Sequence, residues 1–467
     1  MRTLLAILTV IYFTAGAQPE NVLKAWQADA DLRYAGCAFS IRNVADGTVL
    51  SEFQSKQLFI PASTQKIFCT SAVLAKFGAD YRYATQLAYT GTIDAQGTLN
   101  GDIIIIGSGD PSLQSAAFYK EQLVDKWALE IQKKGIKKIT GRVIGDASAF
   151  APYVPSAWLY EDVVNYYGAA VCALNYADNK FSIFLKSGVQ DSAVTIVSIK
   201  PNYAHQGYKL TTKVKASGKR DEAYVFGDPT SFERSIVGSI PANRPNYEIE
   251  ASLPDPALLC AEQLQTALKK ISIPCAKNAV SNYKKTDGEK FTVLYVHYSA
   301  GLAQLVAHAN QQSNNLYTEA FRFLLGKGDA IEGIAQIKNY SASVGLDTAA
   351  LFLEDACGLS RLNACSADAQ SKLLAELTKS TIYKAFYQSL ALAGKSGSFI
   401  NIGKGTPLEN NLCGKSGYLT RARAYCGYIT TKSGKNLAFS VIINNFSCTG
   451  SALKPKFESF FKALYDL

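Results

Sequence analysis

Apolar and polar positions recur along this chain in patterns that divide it into three stretches. Residues 22–32 carry the spacing of a helix. Residues 34–43 and 48–53 alternate as a hairpin, closed by the turn pair Asp46-Gly47. Ile60-Pro61-Ala62 leads into residues 63–77, where Ile67, Val73, Leu74 and Phe77 predict a helix buried at its far end.

From residue 83 the texture changes to strand-like pieces, 83–92 and 98–106, joined by Asp94-Ala95-Gln96-Gly97. A helix over 115–134 follows, then further strands and Gly, Asn and Lys turns up to residue 285. Beyond residue 290 the pattern turns helical, over 300–309, 314–325, 330–343, 367–379 and 382–392. Two late strands, 424–431 and 437–445, precede a last amphipathic helix over 454–464. The layout predicts one α/β domain built from residues 18–82 and 286–467. An inserted, mostly β segment, 83–285, forms one or two accessory domains.

The first seventeen residues read as an export signal rather than as fold. Arg2 gives the positive start, Leu4 to Phe13 the apolar core, and Ala15-Gly16-Ala17 a small-residue cleavage site before Gln18. No cysteine follows that site, so a lipid anchor is not indicated. An exported protein, most simply a periplasmic one, is expected.

Composition narrows the function. With 48 Lys+Arg against 38 Asp+Glu the chain is basic, yet no block of basic residues stands out, so nucleic acid is not an expected partner. Three histidines argue against a multi-histidine metal centre and leave little for a Ser-His-Asp triad. Export gives the ten cysteines two readings. Cys260/Cys275, Cys357/Cys365 and Cys413/Cys426 are near enough in sequence to pair, or they are small buried apolar side chains. No CxxC occurs, so a zinc ribbon is unsupported, and no metal or cofactor is expected.

With histidine scarce, the chemistry to look for is a serine served by lysines, which takes S-x-x-K, then S-x-N, then K-T-G or a variant. S-x-x-K starts at Ser63, Ser281, Ser451 and Ser459, K-S-G at Lys186, Lys395, Lys415 and Lys432, and S-x-N once, at Ser313. Only Ser63 opens a buried helix, which places Lys66 one turn on along the same face. Only Lys415-Ser416-Gly417 follows the S-x-N and runs through Tyr418-Leu419 towards a strand. Ser63 is thus the candidate nucleophile, with its own N–H facing the oxyanion. Lys66 is the base, Ser313 the proton relay and Asn315 the holder of the substrate amide. Lys415 supplies positive field, Ser416 grips a carboxylate, and the Tyr418 N–H is the second oxyanion donor.

At this point the chain resembles the class C low-molecular-mass penicillin-binding proteins, D-alanyl-D-alanine carboxypeptidases/endopeptidases. Beyond the three motifs, the resemblance includes Gly101-Asp102-Ile103, Gly107-Ser108-Gly109-Asp110-Pro111-Ser112 and Gly145-Asp146. It extends to Tyr166-Tyr167-Gly168-Ala169 with Leu174-Asn175, and to Gly358-Leu359-Ser360-Arg361. It implies a β-lactamase/transpeptidase-like domain, helices around an antiparallel sheet, split by the long insertion between Lys66 and Ser313. The implied activity is cleavage of peptidoglycan stem peptides through an acyl-serine that β-lactams also form. By resemblance, Asp162, Tyr167, Arg361, Leu419 and Thr420, beside Gly417, hold a zwitterionic side-chain end of the stem peptide. Ser416 replaces the usual threonine, and Tyr418 stands where a small hydroxyl residue is common.

Two other readings compete. A non-catalytic wall-binding or β-lactam-sensing module would not need a nucleophile with its base. A β-lactamase is suggested by Glu161-Asp162-Val163-Val164-Asn165, but the wide separation of Ser63 from Ser313 opposes it, and Glu161 reads as a loop residue. The loop from Gly107 to Pro111 is glycine-rich, but no helix with Lys-Ser/Thr follows, so it is not a phosphate loop.

Overall fold

The computed structural model describes residues 19–201, 207–285 and 290–467, so the expected export signal lies outside the described residues. Near the N-terminus, α1 (Pro19–Ala28) precedes the hairpin β1 (Gly36–Asn43) and β2 (Val49–Phe53), then α2 (Lys66–Phe77). The middle of the chain supplies β3 (Ala84–Tyr89), β4 (Ile103–Ile106), α3 (Leu123–Lys133), β5 (Val143–Asp146), α4 (Pro256–Lys270) and β6 (Val280–Asn282). Then follow β7 (Thr292–Tyr298), α5 (Leu302–Gln311), α6 (Asn315–Leu325), α7 (Ala330–Ser343), α8 (Ala367–Leu377) and α9 (Tyr383–Ser389). The chain closes with β8 (Ala391–Leu392), β9 (Leu412–Leu419), β10 (Ala422–Thr430), β11 (Asn436–Asn444) and α10 (Gly450–Tyr465).

Both ends of the chain build one antiparallel sheet, in the order β2-β1-β11-β10-β9-β8. Its central strands β10 and β11 are buried on both faces because helices cover both, while β2 is an exposed edge. Successive side chains alternate. Tyr425, Phe439, Val441 and Ile443 join the core under α1 and α10, where Trp26 meets Phe460 at 5.7 Å. Ala424, Cys426, Ala438 and Ile442 face the core of α2, α5, α6 and α8. These smaller residues let the helices approach closely, which brings the turn before α2 and the turn before α6 against β9.

A second, mixed sheet runs β6-β5-β4-β3-β7, with α3 and α4 packed on it around Trp127 and Leu264. Here one boundary is corrected. The strand Thr292–Tyr298 falls in the segment expected to belong with the C-terminal part from residue 286. It pairs instead antiparallel with Ala84–Tyr89, so the chain returns to the first sheet's helices only after Tyr298. A further all-β part contains a three-stranded sheet with Lys180–Lys186 between Thr195–Lys200 and Tyr247–Ser252.

Other local expectations also shift. The helix expected from residue 115 starts at Leu123, because residues 115–119 close a turn on Ser115 O and Gln114 Oε1 accepts the Leu123 N–H. The last helix begins at Gly450, where the Thr449 hydroxyl caps the Ala452 N–H.

All ten cysteines are free thiols, and all but Cys275 and Cys448 are buried. The suspected pairings give way to the reading as small core residues. In the β9–β10 register Cys413 lies opposite Tyr428 and Cys426 opposite Lys415, so those two thiols do not face each other. Cys357 and Cys365 belong to different cores, and Cys260 is buried on α4 while Cys275 bridges Ile139.

Candidate active site

Ser63 lies in a single 3-10 turn, Ala62–Gln65, and the α-helix proper begins at Lys66. The expectation that Ser63 itself opens the helix is thus corrected by one turn. The turn is tight: Ala62 has a left-handed φ of 47°, and Thr64 Oγ1 donates to Pro61 O at 2.7 Å. Two glycines press against it. A Cβ on Gly417 of β9 would fall 2.5 Å from Pro61 O and 3.0 Å from Ser63 N. One on Gly358 would fall 2.0 Å from Ala62 O. The third K-S-G position therefore needs glycine so that strand and nucleophile turn can touch backbone to backbone.

Lys66 is fully buried at the start of α2. Its Nζ lies 3.0 Å from Ser63 Oγ, 2.6 Å from Asn315 Oδ1 and 2.6 Å from the Cys357 carbonyl. Burial lowers its pKa from the usual lysine value, against the opposing pull of Cys357, Asp355, Glu319 and Cys69. The last two contacts are acceptors only. A neutral amine has two N–H bonds to give them, which leaves its lone pair for the Ser63 O–H.

Ser313 sits at the turn between α5 and α6 with a left-handed φ of 56°. Its Oγ receives a hydrogen bond from Lys415 Nζ at 2.9 Å, and Lys415 Nζ also donates to Ser416 O at 2.6 Å. Lys415 is fully buried on β9; burial first, then the nearby Lys66, pushes its pKa well below the lysine range. Asn314 caps α6 through the Tyr317 N–H, which fixes the turn. Asn315 Nδ2 donates to Tyr167 O at 2.8 Å, tying this turn to the middle of the chain.

Sequence reading missed what lies beneath Lys66. Glu319 Oε1 accepts the backbone N–H groups of Ala356 and Cys357 at 2.8 and 2.9 Å, and Glu319 Oε2 pairs with Arg322 at 3.2 Å. Asp355 accepts from the Gly358 and Ser360 N–H groups, from Asn363 and from Trp158 Nε1. The ligand atoms of Glu319, Asp355 and Cys357 lie within 4.8 Å of one another, but both carboxylates are committed to these donors. They form a cradle rather than an open ligand set. The only sequence signal was the run Gly358-Leu359-Ser360-Arg361.

The residues assigned by resemblance to a side-chain pocket also meet. Asp162 sits near Tyr167 and Arg361; burial raises its pKa, and Tyr167 first, then Arg361, opposes that shift. Arg361 Nη1 donates to Thr420 O at 2.9 Å, and Leu419 packs at the edge of the core that includes Tyr167. Asp355, committed to its loop, is not Arg361's partner. Ser416 is nearly buried, whereas Tyr418 is half exposed, its ring next to Gly450 and 5.3 Å from the Arg423 guanidinium. Glu161 is exposed in its loop. β8 covers only Cys413 and Gly414, so among the described residues β9 has no strand neighbour on that side from Lys415 to Leu419.

A helix-borne serine and lysine, a serine turn and a lysine-bearing strand, set between an antiparallel sheet and its helices, define a serine acyl-transfer enzyme with the penicillin-binding fold. The match to the D-Ala-D-Ala carboxypeptidase 3 (S13) family model spans residues 20–460, and the chain belongs to that family. It is therefore a serine peptidase that works through an acyl-serine. The D-alanyl-D-alanine carboxypeptidase of Actinomadura sp. (strain R39) is 26% identical over 443 residues, which cover 90% of this chain and 79% of that one. The crystal structure of penicillin binding protein 4 from Haemophilus influenzae superimposes with a TM-score of 0.80 at 21% identity, covering 96% and 98% of the two chains. A penicillin G-acylated predatory endopeptidase from Bdellovibrio bacteriovorus, in complex with its immunity protein, gives 0.51 at 17% identity, over 92% and 91%.

Proposed function

We propose that this chain is an exported D-Ala-D-Ala carboxypeptidase/endopeptidase, acting in the periplasm on peptidoglycan stem peptides, with Ser63 as its nucleophile. The observation that carries the reading is the buried Lys66 amine, 3.0 Å from Ser63 Oγ with two acceptor-only partners on its other sides.

The steps follow from the geometry. Lys66 takes the Ser63 proton as Oγ attacks the penultimate D-Ala carbonyl. The oxyanion is met by the Ser63 and Tyr418 backbone N–H groups. The C–N bond breaks as the proton held on Lys66 passes through Ser313, placed by Lys415, to the departing nitrogen, which leaves Lys66 neutral again. Water then attacks the ester, returns its proton through Lys66 and frees Ser63. The Ser416 hydroxyl and Lys415 hold the terminal carboxylate. Asn315 and the unpaired edge of β9 hold the peptide as an added strand. Asp162, Tyr167, Arg361, Leu419 and Thr420 take the zwitterionic end of the stem-peptide side chain. A β-lactam enters the same steps, but its leaving group stays attached. Export rests on the pattern of residues 1–17; among the described residues no helix is long and apolar enough to cross a membrane.

Labelling with a fluorescent penicillin, run beside D-Ala release from a pentapeptide, tests the reading. Wild type should form a stable adduct and release D-Ala, and Ser63→Ala should do neither while keeping its fold. Fast turnover of the adduct would mark a β-lactamase. An adduct without D-Ala release would mark a sensor, and D-Ala release by Ser63→Ala would remove Ser63 from the mechanism.

A further inference from the structure

A cavity of about 970 Å³ opens beside α10, on the face of the first sheet opposite the helices that carry Lys66 and Asn315. Three elements wall it: the loop before β9 around Gly403 and Lys404, the turn between β10 and β11 at Lys432, and α10 from Lys454 to Tyr465. Hydrogen bonds tie these walls together. Gly403 N donates to Glu458 Oε1 at 3.0 Å, Lys432 N to Tyr465 O at 2.7 Å and Ser433 Oγ to Leu467 O at 3.3 Å. The cavity is thus preformed, and its size falls at the upper end of the range for small-molecule sites, roughly 300–1,000 Å³.

Its charge is one-sided. Lys404, Lys432, Lys454 and Lys462 share the lining with Glu458 and Asp466, four cations against two carboxylates. Both carboxylates are engaged: Asp466 pairs with Lys462 at 2.9 Å, and Glu458 lies 3.8 Å from Lys454 besides accepting Gly403 N. Glu409, whose charge Lys404 also feels, is held by Lys395 and by Gly405 N, each at 2.7 Å. That leaves Lys404 and Lys432, both exposed, with no ion pair among the described residues. Two like charges on one cavity are relieved by an anion. Pro407, Pro455 and the ring of Tyr465 add an apolar surface. Lys432, Lys454 and Lys462 are also the lysines of the surplus motif copies that start at Lys432, Ser451 and Ser459, which take no part in the chemistry at Ser63.

We propose that this cavity is a binding site for an organic phosphate, separate from the Ser63 cleft. A phosphate group carries close to two negative charges and several acceptor oxygens, which matches two unpaired ammonium groups; a single carboxylate would leave them half neutralised. The apolar body of the ligand lies against Pro407, Pro455 and Tyr465, alongside the lysine stems. A soluble phosphate ester and a phospholipid headgroup share this chemistry.

The test titrates the full mature enzyme with phenyl phosphate by calorimetry, with benzoate as the singly charged control. Phenyl phosphate should saturate one site, and the double variant Lys404→Gln/Lys432→Gln should weaken it about tenfold or more, the worth of a charged hydrogen bond. Both side chains are exposed, so the variant should keep the wild-type Tm. Excess penicillin, which fills the Ser63 cleft, should leave phenyl phosphate binding unchanged. Absence of saturable binding, equal affinity for benzoate, an unweakened double variant, or displacement by penicillin would each overturn the site. Vesicles of phosphatidylglycerol and phosphatidylcholine then assign the source. Retention on them that the double variant loses and phenyl phosphate competes away identifies a lipid headgroup. No retention by an enzyme that binds phenyl phosphate identifies a soluble ester.

Discussion

Glu319 Oε1 accepts the N–H of Cys357 at 2.9 Å, and the carbonyl of that same residue accepts Lys66 Nζ at 2.6 Å. A buried carboxylate and the proposed base are thus joined through one backbone unit. The carboxylate acts on the base in two ways: it fixes the carbonyl that orients the amine, and its charge favours the ammonium.

The two roles separate by substitution. Glu319→Gln keeps an acceptor for the Ala356 and Cys357 N–H groups but removes the charge. Lys66 then faces Asp355, Cys357 and Cys69 without Glu319, with Lys415 still opposing protonation. Its pKa should fall further. Because acylation needs the neutral amine, the rising limb of the acylation rate against pH should move to lower pH. Glu319→Ala removes the acceptor as well and should cut the plateau rate by about tenfold or more, the cost of freeing a charged hydrogen bond at a positioned group. Both variants strand Arg322, which should cost about 3–5 kcal/mol of stability, read as a lower Tm. A Glu319→Gln profile that superimposes on wild type would remove the electrostatic role.

Gly417→Ala tests the backbone contact between β9 and the nucleophile turn. The added methyl would meet Pro61 O at 2.5 Å, Thr64 N at 2.9 Å and Ser63 N at 3.0 Å, none of which can swing aside. Strand and turn must part by several tenths of an ångström, and the oxyanion donors part with them. Penicillin acylation should fall by about a hundredfold, the usual loss for one oxyanion donor, while the circular dichroism spectrum stays native. Wild-type acylation would mean that the turn has slack that the contact distances deny.

The residues that meet around Ser63 could be read from the sequence because each motif is local. A single 3-10 turn carries Ser63 to Lys66, a two-residue turn carries Ser313 to Asn315, and a strand carries Lys415 to Gly417. What holds Lys66 from below could not be read, because its partner is the carbonyl of Cys357, which any residue type provides. The thiols misled for a related reason. Cys413 and Cys426 are close along the chain, but the strand register sets them against Tyr428 and Lys415. The alternation in residues 292–298 announced a strand without naming its partner, and that partner, Ala84–Tyr89, lies two hundred positions earlier.

Arg361 should set substrate choice without touching the chemistry. Its guanidinium is held by the Thr420 carbonyl near Asp162, with no hydrogen bond to Ser63 or Lys66 among the described residues. Arg361→Ala should slow cleavage of a stem peptide with a zwitterionic side-chain end by about 1.5–3 kcal/mol in kcat/KM. Acetylated D-Ala-D-Ala, which lacks that end, should be cleaved at almost the wild-type rate. Matching losses on the two would place Arg361 in the support of the fold instead.

The glycine-rich loop that begins at Gly107 is structural. Gly109 N donates to Ala173 O at 2.6 Å, and a Cβ on Gly107 would lie 2.3 Å from that same carbonyl. Asp110 sits buried at the end of the loop. Its Oδ1 accepts the N–H and hydroxyl of Ser112 at 2.8 and 2.6 Å, while Oδ2 has no hydrogen-bond partner among the described residues. Burial outweighs the Ser112 contacts and raises the carboxyl to about 6 from its usual 3.8. The sign follows. The fold binds this proton more tightly than the unfolded chain does, so the group's contribution is best at low pH and is lost as pH rises from about 4 through about 6. Each tenfold in proton affinity is worth about 1.4 kcal/mol, so ionised Asp110 costs the fold about 3 kcal/mol at neutral pH. Asp110→Asn keeps the acceptor for Ser112 and cannot ionise. Its stability relative to wild type, measured by urea unfolding, should be near zero at pH 4 and rise by about 3 kcal/mol by pH 7.5. A difference that stays flat over that range would mean that the carboxylate finds water or a cation when it ionises.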